Sequence, residues 1–392
     1  MPHETVTTPE QLAQLCEKIS NADRVGFDTE FVSEDTFRPQ LCLVQVIVGD
    51  HLAVIDPQQV SNLEPFWRVL AEEGHTTVVH AAREEINFSL TAIDTPPAGI
   101  FDTQLAAAFC STEYPAAYSS VVSRFLGKKV LKGEQRTDWR RRPLSDEQIN
   151  YALEDVRHLF PLHDTIAKRI EDHGRTDWLT TETAEFLTEV VSFRDRERWR
   201  KVSGAGNLGP RGLAIVRELW RWRQAEAERR DLPPKRVLRD DLIIELAKRR
   251  TAKAEKIRAV RGMQYGQLKK ATEAIAECVQ RGLDASTDDL VSKGGKAPPP
   301  QLNLLGQFLT PAITSICRSE NMAASLTCTA TDIRDLIAHR LGFAAADAAE
   351  PALASGWRAH LVGKLIDDLL VGKKSIRIAN PRKEHPLTIE PV

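Results

Sequence analysis

The chain has 392 residues, 42% of them hydrophobic and 28% charged, with a formal net charge of −2. That length exceeds what one hydrophobic core usually serves, so two or three domains are expected, and the balance excludes a disordered or fibrous chain. No run approaches the roughly 20 apolar residues of a membrane span, and the start lacks a basic-then-apolar leader, so a cytoplasmic protein is expected.

In chain order, apolar spacing predicts a helix over 9–19 that leads into a strand over 24–31. Strands follow over 41–48 and 52–55, with Gly49-Asp50 as the hairpin turn between them. A helix over 62–73, a short buried strand over 76–79, a helix over 82–92 and a strand running into a helix over 101–109 complete the pattern. The order β-β-β-α-β-α-β-α predicts a mixed sheet, an antiparallel meander first and alternating units after it. Ser145-Asp-Glu-Gln148 is a capping box opening a helix that runs past Asp155, with Pro161 placed to bend it.

Beyond Trp178 the chain reads as helical, with helices over 213–230, 240–249, 252–260 and 265–281. The Pro, Gly and Ser content of 285–300 marks a linker, and a second helical stretch covers 302–370, ending in a loose tail. The six cysteines are scattered without a Cys-x-x-Cys pair, which fits neither a zinc site nor a disulfide framework. The near-neutral total hides an asymmetry: between Asn207 and Leu283 there are 19 Lys and Arg against 10 Asp and Glu. Such a surplus suits a polyanion, and equally suits solvated helix faces carrying i,i+4 pairs.

The chemistry starts in Val25-Gly-Phe-Asp-Thr-Glu-Phe31. Strand alternation points Asp28 and Glu30 the same way and Phe27 and Phe31 the other. Two carboxylates side by side on a buried strand repel each other and cost desolvation energy, which a divalent cation between them offsets. Mg²⁺ or Mn²⁺, which favour hard oxygen ligands, would suit such a pair, although a solvated pair at a strand end would look the same. Tyr151 and Asp155 stand one helical turn apart on one face. A helix carboxylate approaching the strand pair completes a metal cage, and the phenol can aim a water. Phosphodiester hydrolysis by two divalent ions needs this assembly. No P-loop, dinucleotide fingerprint or nucleophile triad competes.

Phe27-Asp-Thr-Glu-Phe31, Arg38-Pro-Gln-Leu-Cys-Leu-Val-Gln45, His80-Ala-Ala-Arg83, Phe101-Asp-Thr-Gln104, Thr137-Asp-Trp-Arg140, Arg142-Pro-Leu144 and Tyr151-Ala-x-x-Asp155 resemble, in order and spacing, the ribonuclease D family. These are DEDD exonucleases whose third motif contains a tyrosine. Leu219-Trp-Arg-Trp-Arg223 through Tyr265-Gly266 resembles the helical HRDC domain of that family, and Gly356-Trp-Arg358 with Leu369-Leu-Val-Gly372 its more divergent second C-terminal domain. The resemblance implies a ribonuclease H-like α/β exonuclease domain with a mixed sheet, followed by two all-α HRDC-like domains. The bounds expected are 1–190, 205–284, a linker over 285–301, 302–378 and a tail over 379–392.

It also implies 3′→5′ hydrolysis of RNA to nucleoside 5′-monophosphates, in maturation of tRNA precursors with unpaired 3′ ends. Asp28, Glu30 and Asp155 would be metal ligands and Tyr151 would position the water. The second-motif ligand of the family is an aspartate, and the alignment puts Glu85 there. Two ions are expected, Mg²⁺ or Mn²⁺; Mg²⁺ demands near-ideal octahedral geometry, whereas a site loosened by the longer glutamate accepts Mn²⁺ more readily, and the sequence leaves the choice open. Asp102 is read as structural, and so is His80.

Arg136, Arg140, Arg141 and Arg142 lie just upstream of the catalytic helix and are read as phosphate contacts, with a structural salt-bridge cluster as the alternative. In the HRDC-like module Arg223, Lys235 and Arg236 are candidate RNA-backbone contacts. Two rival functions stay open: a 3′→5′ DNA exonuclease, and an RNA-binding protein whose chemistry Glu85 has impaired. A monomer is favoured.

Overall fold

The computed structural model describes residues 2–130, 137–264, 266–290, 299–345, 348–382 and 386–392. Its first part is a sheet flanked by helices: β1 (Glu4–Val6), α1 (Pro9–Ser20), β2 (Arg24–Val32), β3 (Gln40–Val48), β4 (His51–Ile55), α2 (Glu64–Ala71), β5 (Thr76–Val79), α3 (Arg83–Ile93), β6 (Ile100–Asp102), α4 (Thr103–Ala107), α5 (Tyr118–Leu126), α6 (Asp146–Arg157), α7 (Leu159–Asp172) and α8 (Thr176–Asp195). The strand order is β1-β4-β3-β2-β5-β6. β2, β3 and β4 form the expected antiparallel meander, and β5 and β6 run parallel to β2. β1, which adds parallel to β4, was not expected: three residues are too few to show a period of two.

The two faces of β2 carry different things. On one, Val25 and Phe27 share a buried core with Leu12, Leu15 and Ile19 of α1, Phe66 and Trp67 of α2, and Ile86 and Leu90 of α3. On the other, Ile47 and Val78 pack against Val156, Leu159 and Phe160 where α6 meets α7. Gly26 faces this junction, and a side chain there would meet Ile47 Cγ2 at 2.7 Å and Leu159 Cδ1 at 3.0 Å. Its absence lets the α6–α7 junction sit close on β2, on the face that alternation also gives to Asp28 and Glu30. The long bent helix expected past Asp155 is two helices divided at His158. Pro161 falls in the first turn of α7, where its missing N–H costs little.

The second part contains α9 (Pro210–Arg229), α10 (Pro234–Val237), α11 (Asp240–Arg249), α12 (Ala254–Arg258), α13 (Gly266–Lys270) and α14 (Thr272–Asp284). Leu219, Ile243, Leu246, Ile257, Ile275 and Val279 share one buried core, joined by Trp199 and Leu290 from outside the helices. The expected linker is therefore packed at its start, where Asp289 also pairs with Arg217 at 2.7 Å. Residues 33–39, between β2 and β3, meet this unit. The Phe37 N–H donates to Asp231 at 3.1 Å, Arg38 pairs with Glu228 at 2.8 Å and Asp35 with Arg236 at 2.8 Å.

The third part contains α15 (Pro300–Ser319), α16 (Ala324–Thr327), α17 (Ala330–Arg340), α18 (Gly356–Arg358) and α19 (Lys364–Leu370), closed by β7 (Lys374–Ile378) and β8 (Leu387–Pro391). Its core is centred on Leu309, Ile313, Leu336, Ile337 and Ile366. Trp357 stacks on Trp178 of α8 at 5.6 Å and its indole N–H donates to Glu182 at 3.2 Å. The loose tail expected over 379–392 is corrected by the antiparallel pairing of β7 with β8. All six cysteines are free thiols. Among the described residues no helix is long and apolar enough to cross a membrane.

Candidate active site

β2 delivers Asp28 and Glu30 from the middle of the sheet, with Asp28 opposite Gln45 and Glu30 opposite Leu43 of β3. α6 delivers Asp155. Its capping box is formed as the sequence suggested: the Ser145 hydroxyl accepts from the Gln148 N–H at 3.2 Å, and the Gln148 side chain accepts from the Ser145 N–H at 2.9 Å. The Gln148 amide then reaches Thr137 at 2.9 Å, tying the start of the helix to the preceding loop. Asp28, Glu30 and Asp155 each offer an oxygen within 4.8 Å of the other two. The phenol of Tyr151, one turn before Asp155, donates to its carboxylate.

Electrostatically this cluster is short of positive charge. Burial and the neighbouring carboxylates push the Glu30 carboxyl up to about 9. Asp28 rises through burial and the charge of Glu85, and Asp155 through burial and the charge of Asp28, against the lowering hydrogen bond from Tyr151. Three hard oxygen donors that raise one another and face like charges fit a divalent cation such as Mg²⁺ or Mn²⁺.

Glu85 stands outside the tight group of three. It is buried at the start of α3, and Thr29 donates to its Oε1 at 2.8 Å. Its charge is felt by Asp28 and Glu30, and burial raises its own carboxyl. The backbone before it is held by Asp102, whose carboxylate accepts from the N–H groups of Ala81 at 2.9 Å and Ala82 at 3.0 Å. Ala81 has φ +62°, a left-handed conformation that a non-glycine residue keeps only when its surroundings impose it. His80 is half-buried between Thr103, at 2.9 Å, and the Ala116 carbonyl, at 3.1 Å, and is structural.

The arginines divide by burial. Arg223 is 5% exposed and donates to the Leu238 carbonyl at 3.0 Å and to Asp240 at 2.6 Å, so the expected RNA contact is corrected to an internal brace. Arg142 donates two bonds to Asp56, at 2.7 and 2.8 Å, and others to main-chain carbonyls, the structural alternative of the sequence reading. Arg140 is engaged by Asp138 at 2.8 Å and Asp35 at 3.3 Å, and Arg236 by Asp35, while Lys235 is largely exposed, 3.7 Å from Asp240. Arg136 lies outside the described residues. Sequence reasoning missed Thr29, Asp35 and Asp56. Only Thr29 left a signal, its place between two motif carboxylates.

Residues 3–171 match the 3′-5′ exonuclease family and residues 212–279 the HRDC domain. Ribonuclease D of Nitrobacter hamburgensis is 31% identical over 385 residues, covering 96% of this chain and 97% of its own. That of Acidiphilium cryptum is 33% identical over 365 residues, covering 91% and 90%. The chain belongs to the ribonuclease D family. The crystal structure of Escherichia coli RNase D, described as an exoribonuclease involved in structured RNA processing, superposes with a TM-score of 0.79 at 27% identity, covering 95% of this chain and 99% of that one. A ribonuclease D family member with this acidic cluster is a nuclease of the 3′-5′ exonuclease type, and the family fold uses divalent metal.

Proposed function

We propose that this member of the ribonuclease D family trims RNA from unpaired 3′ ends, one nucleoside 5′-monophosphate at a time, using two divalent ions. The convergence of Asp28, Glu30 and Asp155 with Tyr151 bound to Asp155 carries this reading. Asp28, Glu30 and Asp155 would hold the cations, with Glu85 completing the set from α3. Bound there, divalent cations supply a lowered pKa for the attacking water and neutralise the leaving 3′ oxygen. The Tyr151 phenol, fixed on Asp155, orients the attacking water towards the terminal phosphodiester. The close approach of the α6–α7 junction over Gly26 keeps phenol and strand carboxylates in one geometry.

Structured precursors such as those of tRNA are the proposed cytoplasmic substrates, in keeping with the structured-RNA role stated for the E. coli relative. The exonuclease unit over 1–190 would act with two HRDC-like units, 205–284 and 302–378, that hold the body of the RNA mainly through backbone and shape. Lys235, Arg236 and Arg140 are the cations proposed to meet phosphates, the last two by exchanging Asp35 for RNA.

Matched RNA and DNA oligonucleotides with a labelled 3′-terminal nucleotide test this directly. Release of labelled nucleoside 5′-monophosphate from RNA, with DNA digested at least about tenfold more slowly, supports the proposal. Equal or faster digestion of DNA moves the assignment to a DNA exonuclease. Binding of RNA without release in either Mg²⁺ or Mn²⁺ makes the chain a binding protein.

A further inference from the structure

Thr29 lies between the two strand carboxylates, yet alternation sends its side chain to the opposite face of β2, toward α3. There its hydroxyl donates to Glu85 Oε1 at 2.8 Å, and both side chains are buried. Its backbone N–H donates to the Asp28 carboxylate. One residue therefore touches two of the acids, through the main chain on one side of the strand and the side chain on the other.

Glu85 is the third residue of α3, whose cap position, Ala82, offers no side-chain acceptor. The Glu85 carboxylate accepts from its own backbone N–H. The side chain thus doubles back on the start of the helix, where a negative charge is favoured. A doubled-back glutamate projects less far than an extended one, which takes up the methylene by which it exceeds aspartate. A flexible chain held at one point still swings, and the Thr29 hydroxyl supplies the second point.

We propose that Thr29 is a positioning residue, whose hydroxyl fixes the Glu85 carboxylate beside the group of three acids, so that a glutamate serves there in place of the family's shorter second-motif acid. This rests on the cation-site reading above. Hydrogen bonds to a ligating carboxylate set its direction, and losing one commonly lowers metal affinity about 10- to 100-fold.

The experiment is calorimetric titration of Mn²⁺ into the full chain without RNA, for wild type, Thr29→Val, Thr29→Ser, Glu85→Asp, Thr29→Val with Glu85→Asp, and Asp28→Ala. Valine keeps the β-branch that suits the strand and removes only the hydroxyl. Thr29→Val is expected to weaken Mn²⁺ binding about tenfold or more, and Thr29→Ser to stay within about twofold of wild type. In the Glu85→Asp background the valine change is expected to matter less than about twofold, because the shortened acid no longer reaches the hydroxyl. Wild-type affinity in Thr29→Val, or an equal loss in Thr29→Ser, overturns the assignment. Should the valine variant not fold, as judged by its melting curve, Thr29→Ala lacks the same hydroxyl and gives the same test. Asp28→Ala separates the two levels: if it leaves Mn²⁺ binding intact, the cation-site reading itself fails. If it abolishes binding while Thr29→Val binds normally, only the role of Thr29 falls.

Discussion

Asp28, Glu30 and Asp155 bring three carboxyls within a few ångströms of one another, an arrangement that works against folding when they are ionised. Replacing Tyr151 by phenylalanine removes the hydroxyl that holds Asp155 and leaves the ring beside Trp139, 6.2 Å between centroids. Single-turnover cleavage by Tyr151→Phe is expected to slow roughly a hundredfold with RNA affinity little changed. A matching loss of affinity would make the phenol a binding group. The strand acids and the Tyr-x-x-x-Asp pair were legible because alternation and the helical turn fix which side chains share a face. The direction of the Glu85 carboxylate was not, since it depends on a partner distant in sequence, Thr29. Arg223 is instructive in the other sense. It follows Val216 and Leu219 on the buried face of α9, so periodicity already pointed inward while residue type pointed to phosphate.

At the scale of elements, the site depends on how α6 and the loop before it are seated. Gly26 sets the approach of the α6–α7 junction to β2, and Gly26→Ala is expected to cost about 1–3 kcal/mol by overpacking. Denaturant unfolding measures that cost, and cleavage should fall with it because Asp155 rides on the displaced helix. The loop over 137–144 is anchored by Arg142 on Asp56. Burial pushes the Asp56 carboxyl up, but the bonds from Arg142, Gln58 and Gln59 outweigh it and hold it below the usual range. The folded value lies below the unfolded one, about 3.9, so this stabilisation is complete above that pH and is lost as pH falls through the folded value. Asp56→Asn is expected to lose about 3 kcal/mol at pH 7, and the difference from wild type should shrink at pH 3. A gap that does not change with pH would contradict the assignment. The capping box and the meander were readable because local chemistry dictates them. The three-residue β1 and the β7–β8 hairpin were not, because short strands owe their existence to the partner they pair with.

At the scale of the whole molecule, a basic helical unit meets the exonuclease unit through residues 33–39, directly after the strand that carries Asp28 and Glu30. Composition disclosed that unit and its charge surplus, but not that several of its arginines are spent on internal acids. Exposed Lys235 is therefore the stronger candidate for RNA, and Lys235→Ala should weaken binding across sequences and reduce the salt slope of log Kd by about one. An unchanged slope would place the RNA elsewhere. Asp28, Glu30 and Asp155 are the proposed hydrolytic centre of a 3′→5′ exoribonuclease. Single-turnover digestion of a 5′-labelled RNA with a short unpaired 3′ extension, in Mg²⁺ and in Mn²⁺, tests it most directly. The expected result is a ladder shortening from the 3′ end and slowed on the order of a thousandfold or more by Asp28→Ala. A ladder that survives Asp28→Ala, or a wild-type chain inert in both metals, would contradict it.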